Sequence, residues 1–241
     1  TNLAYPEMGE SVARVLERAG AKVTFPQDQW CCGLVSTNAG DREGAKPLAR
    51  QTIECLERAL AQGVTQIVSH STSCVVAVQQ DYPALFRDEP EWRARAEAVA
   101  EKLTDFTHVA AALTPTLSQR ERGPDSEPSP PGRGQGEGLV TYHDSCQSFN
   151  CLGLQPEGRA ALVATGVDIT EMTESSTCCG FGGSFSLDHP AVSERIVRRK
   201  LRNIAATGAG TVVADNPGCI FHLRGALDAA QGAAAPRVLH L

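Results

Sequence analysis

Gly63-Val64-Thr65-Gln66-Ile67-Val68-Ser69-His70-Ser71-Thr72-Ser73-Cys74 and Gly208-Ala209-Gly210-Thr211-Val212-Val213-Ala214-Asp215-Asn216-Pro217-Gly218-Cys219 align without a gap. In each, glycine ends a long amphipathic stretch (41–62 and 191–207) as a helix C-cap. A short β-branched run follows, Ile67-Val68 in one and Val212-Val213 in the other, and reads as a buried strand. Each segment then closes on a cysteine. The same order of helix, cap, strand and cysteine twice in one chain is an internal duplication. Helices alternating with strands predict parallel sheets, with functional groups beyond the carboxyl ends of the strands. The expected fold class is therefore α/β, as two pseudo-symmetric α/β lobes.

The cysteines repeat with the elements. Cys31-Cys32-Gly33 recurs as Cys178-Cys179-Gly180, and Cys74 and Cys219 follow their doublets by about forty positions. Cys146 precedes the second doublet by 32 positions; the same offset from Cys31 falls at position −1, so the first module is expected to lack its opening cysteine. Sulfurs scattered over such distances yet repeated at near-equal spacing are expected to gather around a metal. Thiolate is the soft, anionic ligand that iron–sulfur clusters take. The second module offers four metal ligands, Cys146, Cys178, Cys179 and Cys219; the first offers Cys31, Cys32 and Cys74. The expected cofactor is an iron–sulfur cluster of the [4Fe-4S] type. Gly33 and Gly180 let the backbone turn so that both sulfurs of a doublet face one site. Gly182 and Gly183 extend that turn and are expected, with them, to offer amides to cluster sulfurs.

Bulk properties bound the class. Nine cysteines in 241 residues is an odd, high number. Neighbouring cysteines close a strained ring if oxidised, so ligation is the better reading than stapling. A net charge of −6 supplies no broad cationic face for nucleic acid. No apolar run approaches the ~20 residues of a membrane span. Thr1 to Pro6 carries no charged-then-apolar leader, and a cytoplasmic location is expected. Residues 114–138 hold five prolines and five glycines with Leu117 as the single large apolar residue. They read as a disordered linker insert between a first domain, 1–113, and a second, 139–241.

Further elements complete the pattern: a helix over 9–18 stopped by Gly20, a strand over 22–25, and a helix over 94–113. The second half adds a strand over 139–142, a helix over 157–165 and a strand over 167–170. Cys55 and Cys151, without repeat partners, read as buried thiols acting as small apolar groups. His143 and Asp144 adjoin Cys146, where they either tune a centre or serve the structure. Arg195, Arg198, Arg199, Lys200 and Arg202 form a basic run on one helix, either solvated or a docking face for an acidic redox partner. Zinc on the same four sulfurs is the main alternative, although neither module has the short Cys-x-x-Cys knuckle usual for it.

Several motifs carry a family resemblance: Tyr5-Pro6-Glu7-Met8-Gly9, Tyr142-His143-Asp144-Ser145-Cys146, Cys178-Cys179-Gly180-Phe181-Gly182-Gly183 and Pro217-Gly218-Cys219. The doublet modules resemble the cysteine-rich domain found in heterodisulfide reductase. They are similar also to the iron–sulfur subunits of glycolate oxidase and anaerobic glycerol-3-phosphate dehydrogenase, and most of all to the lactate utilization protein A family. That resemblance implies an electron-transfer subunit of a complex oxidising L-lactate, or a related 2-hydroxy acid, to pyruvate. Its partners would be a ferredoxin-like iron–sulfur protein and a third subunit. No nicotinamide or flavin fingerprint is present, so hydride chemistry is expected to lie elsewhere. Heterodisulfide reductase modules end in Cys-x-x-Cys, where this chain has Ser71 and Asn216. A four-thiolate cluster is thus favoured over a five-thiolate one, and over a reductase that cleaves a disulfide at the doublet. Gln147 stands where the family usually has histidine.

Overall fold

The computed structural model describes residues 5–121 and 138–241, without the side chains of 114–121. Pro6 opens the first helix, α1 (Pro6–Arg18), where its missing N–H is no loss. Gly20, at φ +96°, lets the chain turn so that the Ala21 N–H returns to the Leu16 carbonyl at 3.0 Å. By internal contacts the chain divides into residues 22–106 and residues 1–21 with 107–241. Helix α1 thus groups with the later residues, whereas the sequence places it in the first domain.

The unit 22–106 holds α2 (Leu34–Asn38), α3 (Arg42–Ala61), β1 (Ile67–Ser69), α4 (Thr72–Val76), a π-helical turn (Ala77–Asp81), α5 (Tyr82–Leu85), α6 (Pro90–Ala100) and β2 (Leu103–Asp105). The Asp41 carboxylate caps α3 by accepting the Gly44 N–H at 2.9 Å. Ala45, Ala49, Ile53 and Leu56 form its buried stripe. Strands β1 and β2 pair in parallel, Ile67 against Leu103 and Ser69 against Asp105. Two expectations fail here. Residues 22–25 make no strand, and Phe25 is 56% exposed, with no sheet edge to bury it. The helix expected over 94–113 is broken by β2, because Leu103-Thr104-Asp105 supplies the parallel partner that β1 needs.

In the other unit α1 is followed by α7 (Phe106–Glu121), β3 (Val140–His143), a π-helical turn (Ser148–Leu152), α8 (Gln155–Ala164), α9 (Phe185–Asp188), α10 (Pro190–Thr207), β4 (Thr211–Ala214), α11 (Pro217–Gln231) and β5 (Arg237–His240). Helix α7 runs on to Glu121, into the stretch read as a disordered insert; residues 122–137 of that stretch lie outside the described residues. The sheet is parallel in the order β3-β4-β5, with every residue of the central β4 buried. The strand expected over 167–170 reduces to one bridge, Ile169 against Val140. Met8 from α1, Ile204 from α10, Val212 from β4, and Ile220, Leu223 and Leu227 from α11 build the core. Cys179 and Cys219 belong to the same cluster. The described residues form a mixed α/β structure with two parallel sheets, as the duplication predicts.

Candidate metal centres

Each lobe delivers its cysteines by the same three devices. First, the doublet turns on a left-handed glycine. Gly33 has φ +79° and Gly180 φ +96°. Their amides donate to the sulfur two residues back: Gly33 N–H to Cys31 Sγ at 3.5 Å and Gly180 N–H to Cys178 Sγ at 3.3 Å. Second, a long helix packs directly on that glycine. A Cβ at Gly33 would lie 3.1 Å from Leu48 Cβ of α3, and one at Gly180 would lie 2.8 Å from the Ser193 carbonyl oxygen of α10. Third, the closing cysteine follows a strand and sits in the first turn of a helix, Cys74 on α4 after β1 and Cys219 on α11 after β4. A helix N-terminus favours the thiolate over the thiol. Cys146 likewise lies just beyond the carboxyl end of β3.

In the unit 22–106 the Cys32 and Cys74 sulfurs are 3.4 Å apart. Hydrogen bonding from Cys32 holds Cys31 down to about 5, and the same partner holds Cys74 down to about 7. Cys32 between them is pushed up, keeping the shared proton. The Ser71 side chain also favours the Cys74 thiolate. Buried Tyr82 donates to the Cys32 carbonyl at 2.7 Å, bracing the doublet.

The other unit shows the same alternation with four sulfurs. Cys178 is depressed, chiefly by Cys146 and then Cys179, and Cys219 falls to about 6 under the influence of Cys179. Cys146 and Cys179 are raised. Such mutual perturbation requires that the four thiols be neighbours, and a metal entering such a site displaces the protons they share. His143 stands among them: its ring nitrogen and the Cys179 and Cys219 sulfurs lie within 4.8 Å of one another, all three residues buried. Soft sulfur donors, two of them accepting backbone amides and Cys179 and Cys219 buried, fit an iron–sulfur or other thiophilic metal centre.

The family follows from the pattern of the modules. A profile of the cysteine-rich (CCG) domain matches residues 1–79 and 140–224. The chain belongs to the cysteine-rich CCG domain family. Within it, the chain is 33% identical over 224 residues to Lactate utilization protein A of Exiguobacterium sp., covering 92% of this chain and 84% of that one. Similarity to the proteins of the same name from Shouchella clausii (33%, 94% and 87%) and Halalkalibacterium halodurans (32%, 92% and 83%) is comparable. Both copies of the CCG module thus lie within matched sequence.

Other candidates separate. Cys55 is buried, as expected, with its sulfur 3.5 Å from Asp28 Oδ1. Cys151 is exposed, against expectation, because its π-helical turn presents it outward. The basic run is not one solvated face: Lys200 is 1% exposed and donates to the Glu174 and Ser175 carbonyls at 2.6 and 3.1 Å. Arg198 and Arg199 pair with Glu194 and Glu174. Asp144 is held by Arg159 in a two-pronged pair at 2.7 and 3.0 Å, and Arg159 reaches on to Glu171. Asp144 thus serves the frame. Gly182 and Gly183, at φ +55° and +66°, shape the turn after the second doublet. Sequence reasoning placed Lys200 in a basic run and passed over Ser175 and Arg159; only the tertiary contacts reveal all three as supports. No helix among the described residues is long and apolar enough to cross a membrane.

Proposed function

We propose that this chain is an iron–sulfur electron-transfer subunit of a complex that oxidises L-lactate, or a related 2-hydroxy acid, to pyruvate. The observation that carries the reading is the gathering of Cys146, the Cys178-Cys179 doublet and Cys219, from three separate stretches, into one set of mutually perturbed thiols. Those four residues would hold one cluster, with Cys31, Cys32 and Cys74 as ligands of a second. A cluster supplies one-electron transfer. The chain's own residues bind it, orient the sulfurs through the Gly33 and Gly180 amides, and bury Cys179 and Cys219 away from water. The substrate class rests on relatives named Lactate utilization protein A. The proposed partners are a ferredoxin-like iron–sulfur protein and a third subunit, in the cytoplasm.

A disulfide reductase of the heterodisulfide type is the second reading. It is disfavoured by Ser71 and Asn216 at the positions of the fifth thiols. Asn216 instead caps α11, its side-chain oxygen accepting the Gly218 N–H at 2.9 Å. The test is anaerobic purification. The protein should be brown and hold iron and acid-labile sulfide in near-equal amounts, and together with its partner subunits should pass electrons from lactate to an acceptor dye. Colourless protein carrying zinc would replace the redox reading with a structural scaffold.

A further inference from the structure

Buried polar atoms without partners point to what a folded chain expects to bind. In the unit that holds the four-cysteine set, His143 ends β3 and is 0% exposed. Its Nδ1 lies 3.0 Å from the Ser175 carbonyl oxygen. A carbonyl only accepts, so Nδ1 carries the proton and donates. Nε2 makes no hydrogen bond of acceptable geometry among the described residues, although it is fully buried. It faces the Cys219 sulfur and, with the Cys179 sulfur, forms the cluster of donors within 4.8 Å.

We infer that His143 is a metal ligand of this centre, its Nε2 standing in for one of the four cysteine sulfurs on one iron. The inference rests on the reading of the thiols as a metal centre and gives it a nitrogen donor. Three physical points carry it. A carbonyl holding the far nitrogen of a ligating histidine is the usual outer support of a metal site, because it fixes the tautomer and aims the lone pair. The His143 ring nitrogen lies within 4.8 Å of both the Cys179 and Cys219 sulfurs, so it reaches the same side of the centre as they do. Histidine replaces cysteine on iron in some known clusters, so the chemistry is open to it.

The experiment is Mössbauer spectroscopy of the full chain loaded anaerobically with iron-57, in the wild type, His143→Ala and His143→Cys. The wild type should show one iron subsite resolved from the sulfur-ligated ones by a larger isomer shift. That subsite should vanish in both variants, with His143→Cys, which keeps a donor at the position, guarding against collapse of the alanine protein. A wild-type spectrum built of sulfur-ligated iron alone overturns the inference whatever the variants do. So does a distinct subsite that persists in either variant, the result expected if His143 only hydrogen-bonds to a cysteine sulfur. Iron content, measured first, separates the two levels of failure. Iron-free wild-type protein removes the proposed cluster and this inference with it; an iron-loaded, sulfur-only centre removes this inference alone.

Discussion

Gly180 shows how one residue sets the geometry of a doublet. Its φ of +96° is open to glycine and costs other residues about 1–2 kcal/mol. A Cβ there would also lie 2.8 Å from the Ser193 carbonyl oxygen, a backbone atom that cannot step aside without moving α10. Ser193 Oγ in turn donates to the Gly180 carbonyl at 2.8 Å, so glycine and helix hold each other. Gly166 makes a useful contrast: φ is +82°, yet a Cβ would meet nothing within 4 Å. Gly166→Ala should therefore lose only the conformational term, about 1 kcal/mol. Gly180→Ala should lose at least twice that, measured by urea unfolding of the metal-free proteins. Equal losses would show that the contact with α10 has no energetic weight.

At the scale of elements, two carboxylates tie α3 to α6: Glu57 of α3 grips Arg95 at 2.7 and 3.0 Å, and Glu89 works from the other side. Glu89, at the N-cap position of α6, bridges Arg50 and Lys46 of α3, the latter at 3.1 Å. Arg50, then Lys46, hold its carboxyl below the ordinary range. Arg50 is itself flanked by the Trp92 and Phe86 rings, with centroids 5.2 and 5.6 Å away. A carboxylate depressed in the folded state contributes stability that is full above its unfolded value, about 4.3. That contribution is lost as pH falls through the lower folded value. Glu89→Gln should thus be less stable than the wild type at pH 7, and the gap should shrink as pH drops below about 4.3. Urea midpoints across that range read the effect; a gap of constant size would mean that the ion bridge is not its source. Elements also mark where pattern reading went astray. Residues 22–25 have strand composition but no neighbouring edge, and β2 hides inside what reads as one helical stretch, because three residues are too few to show a period.

For the whole molecule, the duplication has a functional consequence. Cys31, Cys32 and Cys74 all fall within residues 22–106, whereas Cys146, Cys178, Cys179 and Cys219 all fall in the other unit. Each set falls wholly within its own unit, so the centres should load separately. Cys179→Ser should lose the iron of the four-cysteine site and keep whatever the three-cysteine site binds, with iron and sulfide per chain as the measure. Loss of all iron, or of none, would contradict separate centres and this ligand assignment respectively. Cys179 and Cys219 also belong to the apolar core around α11, so metal and packing are linked there. Removing metal from the wild type should lower the melting temperature, as expected when binding requires the folded site.

By itself the sequence determined the repeated module, the glycine turns after the doublets, and the spacing that sorts the cysteines into two sets. All three are local or periodic properties written in residue type and spacing. Helix caps at Gly63 and Gly208 and strands at Ile67 and Val212 were legible for the same reason. Only the tertiary structure decided the rest. It placed α1 with the later residues and exposed Cys151. It buried Lys200 against the Glu174 and Ser175 carbonyls and turned an unpartnered His143 nitrogen toward two sulfurs. Those outcomes depend on which faces of distant elements meet, and burial is a property of the packed whole that no single stretch of chain encodes.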